Sequence, residues 1–245
     1  MLASITQNAL VEMRVASPLP FIDDLSTVRN CRTSNRGARE TAERASFPVI
    51  SSTPKAFQTC RPSRVVQRYV FTARDGKKVV FREPRSTDAR SLMDFINGFV
   101  GEEKSGLLID KKTNIRAERR WLKQRIREIK GKLTVMLIVE YEGRIVGNCD
   151  VKRRVWKESH RAVFGIALSR EVRGRGIGEA LIRKTIALAK QRMRGLEVID
   201  LAVIDYNRRA KGLYSKVGFV KVARMPHAIK EDREYFDEDW MVMRL

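Results

Sequence analysis

Apolar and polar positions recur with a regular period only beyond about residue 67. Residues 78–81 read as a strand, and Ser86 or Thr87 then caps a helix with Leu92, Met93, Ile96 and Phe99 along one side. Residues 115–130 place Leu122, Ile126 and Ile129 at helical spacing in a lysine- and arginine-rich stretch. Residues 133–140 and 144–151 form two strands joined through Glu142-Gly143, a turn pair. A strand over 162–168 leads through a glycine cluster into a long helix over 178–194, and a further strand covers 196–204. A helix over 207–216 is stopped by Gly218, and strands at 219–223 and 240–245 complete the pattern. Antiparallel strands followed by strand–helix–strand–helix–strand predict one α+β domain with a mixed sheet over 67–245.

Residues 1–66 lack such a period. They hold Pro18, Pro20, Pro48, Pro54 and Pro62, are rich in arginine and serine, and carry Lys55 as their one lysine. A segment of this composition buries too little apolar area to offset the entropy of ordering it. It reads as a disordered N-terminal extension. A cleavable organellar transit peptide is the alternative, against which Asp23 and Asp24 speak.

Charge adds a constraint on partners. A net charge of +21 suits anions: nucleic acid, an acidic surface or a multiply phosphorylated cofactor. Cys31, Cys60 and Cys149 are widely spaced without a CxxC pair, so no metal site or disulfide framework is expected, and a reducing, cytoplasmic setting is. The longest apolar run, residues 133–139, falls far short of the roughly 20 residues of a membrane span, so a soluble protein without a membrane partner is expected.

The strongest chemical feature is Arg173-Gly174-Arg175-Gly176-Ile177-Gly178, between a strand and a helix. Glycines allow a tight turn whose N–H groups converge on an anion, and the helix beyond presents its positive dipole end to the same place. Arg173 and Arg175 would add charge. The dinucleotide fingerprint fails, because its third glycine falls on Glu179 or Leu181, and no Gly-Lys-Ser/Thr of a Walker loop follows. The signature [Arg/Gln]-x-x-Gly-x-[Gly/Ala] is met by Arg173, Gly176 and Gly178, and resembles motif A of the GNAT superfamily of acetyl-CoA-dependent N-acetyltransferases. A second block, Asn207-x-x-Ala210-x-x-x-Tyr214-x-x-x-Gly218-Phe219, is similar to that superfamily's Asn/Tyr block and puts Asn207, Ala210 and Tyr214 on one helical face.

The resemblance covers about residues 78–245. It implies a mixed, mostly antiparallel sheet with flanking helices, splayed at its centre between strands 162–168 and 196–204. Acetyl-CoA, the co-substrate, would lie in the gap. The backbone of Ile166, Ala167 and Leu168 would pair with the pantetheine arm, and the amides of Gly174, Arg175, Gly176, Ile177, Gly178 and Glu179 would hold the pyrophosphate. Asn207 would contribute to the same site. Phe164-Gly165-Ile166 and Tyr235-Phe236-Asp237 resemble the phosphinothricin- and polyamine-type branch.

The implied reaction moves an acetyl group from acetyl-CoA to a primary amine, of a small molecule or of a protein, by direct attack in a ternary complex. An alkylamine with a pKa of about 10.4 is almost wholly protonated at neutral pH, so a base must take its proton before attack. Tyr214 occupies the position implied for the acid that protonates the leaving thiolate. Phosphinothricin-type relatives carry a glutamate where this chain has Val163, so Glu158 and His160, just upstream, are the candidate bases, with a water-mediated route as the alternative. The acidic run Glu231, Asp232, Glu234, Asp237, Glu238 and Asp239 reads either as a solvated hairpin loop or as an attractor for a cationic substrate. A homodimer is compatible with these features. The rival reading is a basic, nucleic-acid- or ribosome-associated binding module on the same fold with little turnover, although no RNP-like motif is present.

Overall fold

The computed structural model describes residues 67–245 apart from 103 and 232; the expectation for residues 1–66 lies outside them. Eight strands form a single sheet: β1 (Arg68–Thr72), β2 (Lys78–Arg82), β3 (Thr134–Tyr141), β4 (Arg144–Arg153), β5 (Arg161–Leu168), β6 (Val198–Ile204), β7 (Val220–Glu231) and β8 (Glu234–Arg244). The helices are α1 (Ala89–Asn97), α2 (Ile115–Lys130), α3 (Ile177–Arg192) and α4 (Arg208–Val217). Strand order is β1-β2-β3-β4-β5-β6-β8-β7. Every neighbouring pair is antiparallel except β5 and β6, which run parallel.

Two apolar cores cover the two faces. Alternate residues of β3 divide between them: Val135, Leu137 and Val139 join Ile177, Leu181, Phe164 and Tyr214, while Met136 and Ile138 meet Leu92, Phe95, Leu122 and Ile129. That division follows from the two-residue period of a strand buried on both sides. The Asn114 side chain caps α2 by accepting from the Ala117 amide at 3.0 Å, and Asn207 caps α4 through the Ala210 amide at 3.1 Å.

Several boundaries differ from the sequence expectation. Ser86–Asp88 make a 3-10 turn, and Asp88 rather than Ser86 or Thr87 precedes α1. Asp88 is held there by Arg82 at 2.8 Å. β1 lies outside the expected strands; it is a short edge strand with alternate residues exposed, which leaves little apolar period. β7 and β8 are far longer than expected, since β7 is mostly exposed and its pairing breaks register twice, which erases the apolar period.

The feature that positions a site is the β5–β6 junction. The two strands pair only from Arg161 opposite Val198 to Val163 opposite Asp200. Beyond that they diverge, while β5 stays paired to β4 as far as Leu168 and β6 to β8 as far as Ile204. The edge of β5 facing β6 therefore presents backbone donors and acceptors to an open wedge.

Candidate active site

The wedge opens into a cleft of about 460 Å³. Its walls are the end of β5 (Ile166, Ala167, Leu168), the glycine turn before α3, and the face of α4 carrying Asn207, Ala210 and Tyr214. The α1–α2 loop, through Phe99 and residues 104–107, and Arg74 of the β1–β2 hairpin close the remaining sides.

The glycine turn is built for close approach. Gly174 and Gly176 adopt φ of +85° and +83°, a region side chains other than glycine rarely occupy. A Cβ on Gly176 would stand 3.5 Å from Arg74, and one on Gly174 would stand 3.1 Å from the Arg209 guanidinium. The first return bond of α3 is from the Ala180 amide to the Gly176 carbonyl, so the amides of Ile177, Gly178 and Glu179 lack an intrahelical acceptor. The Ile177 side chain is fully buried in the core, and neither it nor Arg175 lines the cleft. Gly178 has a different role: a Cβ there would press on Leu168 and Leu213, each at 3.2 Å, so its lack of a side chain lets α3 sit against β5 and α4.

The arginines of the turn do not supply the free charge expected of them. Arg173 donates to the Leu168 carbonyl at 2.7 Å and to the Glu102 carboxylate at 2.6 Å, and lies over the Phe99 ring. Arg175 is bound to Asp75 at 2.7 Å. The cations in the cleft wall that form no ion pair among the described residues are Arg74, Lys104 and Arg209. Arg74 and Lys104 reach the cleft from hairpin and loop positions, where no periodic signature in the sequence marks them. Glu179 borders the same cleft, its carboxylate held ionised and below the usual range by Lys216 and Arg183.

Tyr214 stands at the cleft with 7% of its surface exposed, its ring edge-on to Phe164 at 5.9 Å. Burial pushes its phenol above the ordinary value, so the hydroxyl stays protonated and able to donate. Asn207 borders the cleft too, and its amide group abuts Gly106 of the α1–α2 loop.

The structure does not bring Glu158 and His160 to this place, which corrects their reading as bases. Both lie in the β4–β5 turn, at the opposite end of β5 from Leu168, a separation of about 23 Å along an extended strand. Glu158 is engaged by Arg161 at 3.0 Å, and the His160 carbonyl accepts from the Glu197 amide at 2.8 Å. The acidic run divides: Asp232 lies outside the described residues, Glu234 is exposed at the hairpin end, and Asp237, Glu238 and Asp239 belong to β8. Glu231 and Glu234 pair across the β7–β8 hairpin, and Asp239 is 1% exposed, bound to Lys211, Lys221 and Arg224.

The chain is similar to known proteins in part of its sequence and in its fold. Residues 107–219 match the model described as Acetyltransferase (GNAT) family. An uncharacterized N-acetyltransferase of Methanocaldococcus jannaschii is 34% identical over 86 residues, covering 34% of this chain and 37% of that protein. A putative [ribosomal protein bS18]-alanine N-acetyltransferase of Bacillus subtilis is 32% identical over 83 residues, covering 34% of this chain and 51% of that one. The matched region thus spans about a third to a half of these curated relatives. Among solved structures, a putative acetyltransferase from Salmonella typhimurium with its cofactor acetyl-CoA shares the fold at a TM-score of 0.60 and 17% identity, over 68% of this chain and 93% of that one.

Proposed function

We propose that the chain, whose residues 107–219 match the Acetyltransferase (GNAT) family, is an N-acetyltransferase of that family that moves an acetyl group from acetyl-CoA to a primary amine. The observation that carries this reading is the wedge itself. An unpaired edge of β5 runs from the glycine turn, with its free amides, toward the buried phenol of Tyr214. The residues present fit a long ligand with a phosphorylated end. Gly174 and Gly176 leave room at the turn, the first-turn amides of α3 face it, and Arg74, Lys104 and Arg209 add positive charge that forms no ion pair among the described residues.

In this reading acetyl-CoA supplies an activated thioester. The backbone of Ile166–Leu168 holds the pantetheine arm as a strand would, and the amides from Gly174 to Glu179 neutralise the pyrophosphate. Tyr214 donates its proton to the sulfur as the amine attacks. The amine's own proton leaves through water, because Glu158 and His160 stand away from the cleft. The acceptor is an amine of a small molecule or of a protein.

Two measurements on one preparation test the proposal. Titration calorimetry should show acetyl-CoA binding, and mass spectrometry should show acetyl transfer to at least one member of a panel of amino acids, polyamines and ribosomal peptides. Coenzyme binding without transfer to any of them would favour a binding module on this fold. Absence of coenzyme binding would end the acetyltransferase reading and leave the binding module, which needs no coenzyme.

A further inference from the structure

A second surface, apart from the cleft, carries chemistry that acetyl transfer does not use. The outward side of α2 presents Arg116, Arg119, Arg120, Lys123, Arg127 and Lys130, all exposed. The two acids of this helix, Glu118 and Glu128, are buried, and Arg125 turns inward to Glu128 at 2.9 Å. None of the six outward cations forms an ion pair among the described residues. Elsewhere cations gather on carboxylates: Lys211, Lys221 and Arg224 on Asp239, Arg183 and Lys216 on Glu179. The ridge repeats every three or four residues along a helix about 24 Å long.

The ridge continues into an aromatic platform. Past Lys130 the chain reaches exposed Lys132 and Leu133, and the Leu133 carbonyl accepts from the Arg153 amide at 2.8 Å. That bond sets the end of α2 beside the β4–β5 turn. At this turn Trp156 is 89% exposed with φ +54°, and Val155 is 58% exposed. Arg154, bound to Asp200 at 2.7 Å, and Arg161, bound to Glu158 at 3.0 Å, brace the turn from below. A large aromatic held outward in a left-handed conformation is costly unless it meets something.

We propose that the α2 ridge and Trp156 together form a binding surface for single-stranded nucleic acid. Exposed guanidinium and ammonium groups in a row engage a phosphate backbone, and a rigid indole stacks on unpaired bases. A membrane surface fits less well. Leu122 and Ile129 of α2 are buried against the sheet and Trp121 and Ile126 pack on the same core, so the helix has no free apolar side to insert. The inference stands apart from the acetyltransferase reading, because none of these residues lines the cleft.

The test uses the full chain with labelled oligo(rU) and oligo(dT) of about 20 nucleotides, followed by anisotropy across salt near about 0.1 M. Heparin and phosphatidylserine vesicles serve as polyanions without bases. Trp156→Ala should weaken oligonucleotide binding about tenfold and leave heparin binding unchanged. Combined Arg119→Gln, Arg120→Gln and Lys123→Gln should weaken both, lowering the salt slope by about 2, at about 0.7 per phosphate lost. Melting temperature, unchanged in both variants, would report an intact fold. Neither oligonucleotide binding, binding indifferent to Trp156→Ala, or capture by vesicles in place of oligonucleotide would each overturn the proposal.

Discussion

Arg173 reaches back from the glycine turn to the carbonyl of Leu168, with Nε 2.7 Å from the oxygen. The same guanidinium grips Glu102 of the α1–α2 loop, so one side chain fixes the end of β5, the turn and a wall of the cleft. Arg173→Ala should therefore act on architecture more than on charge. Loss of hydrogen bonds to a charged group costs about 1.5–3 kcal/mol, and a fall of that size in unfolding free energy, read from denaturant titration, is expected. Coenzyme affinity should fall moderately, since the amides remain. A collapse of affinity at unchanged stability would instead place the guanidinium on the phosphates.

Gly176 and Gly178 should separate cleanly. Gly176→Val forces a branched residue into φ +83° where the chain faces the cleft, so coenzyme affinity should be lost in a protein that still folds. Gly178→Val presses on Leu168 and Leu213, and overpacking of this kind costs about 1–3 kcal/mol of stability. Calorimetric affinity and melting temperature, measured side by side, check both. Wild-type affinity in the Gly176 variant would refute the pyrophosphate assignment.

Much of this site was legible in the chain. The helices over 115–130 and 208–217 and the strands flanking the glycine turn announce themselves by period, and Asn207, Ala210 and Tyr214 share a face at helical spacing. What escaped reading depends on contacts without a local trace. Glu102 meets Arg173 across 71 residues, and Arg175 meets Asp75 across 100, so the turn's charges look free in the sequence and are not. Glu158 and His160 misled for a related reason. A strand advances about 3.3 Å per residue, so residues just upstream of β5 recede from the wedge with each step. Long β7 and β8 hid the acidic run's real role, in which Asp239 is an internal anchor.

Asp239 carries the pH prediction. Arg224 hydrogen-bonds it, Lys221 and Lys211 add to that, and together they hold its carboxyl well below the usual carboxylate range. A depressed folded-state pKa gives stability that is complete above the unfolded value of about 3.9 and fades as pH falls toward the folded one. Asp239→Asn should cost about 1.5–3 kcal/mol at neutral pH, by weakening hydrogen bonds to charged groups. The gap between the two proteins should narrow below about pH 4, when chemical denaturation is repeated across acid pH. A gap independent of pH would mean that Asp239 acts through shape and not through its charge.

Tyr214 decides whether the cleft's acid is assigned correctly. Its ring packs edge-on against Phe164 and Phe219, and its burial keeps the phenol protonated beyond the ordinary range. Tyr214→Phe removes the hydroxyl and keeps those ring contacts, so melting temperature and coenzyme affinity should change little. Turnover should fall by about 10²–10⁴-fold if the proton of this phenol reaches the departing sulfur, the range typical of general acid catalysis. A loss near the lower end is reasonable, because a thiol of pKa about 8.5 leaves tolerably well unaided. The wild-type rate should also lack an alkaline fall owed to Tyr214 near pH 10, since a raised pKa moves that limb upward. A packing role predicts the reverse pattern: lower stability, with turnover per folded molecule preserved. Full activity in a stable, coenzyme-binding Tyr214→Phe protein would leave the thiolate to take its proton from solvent.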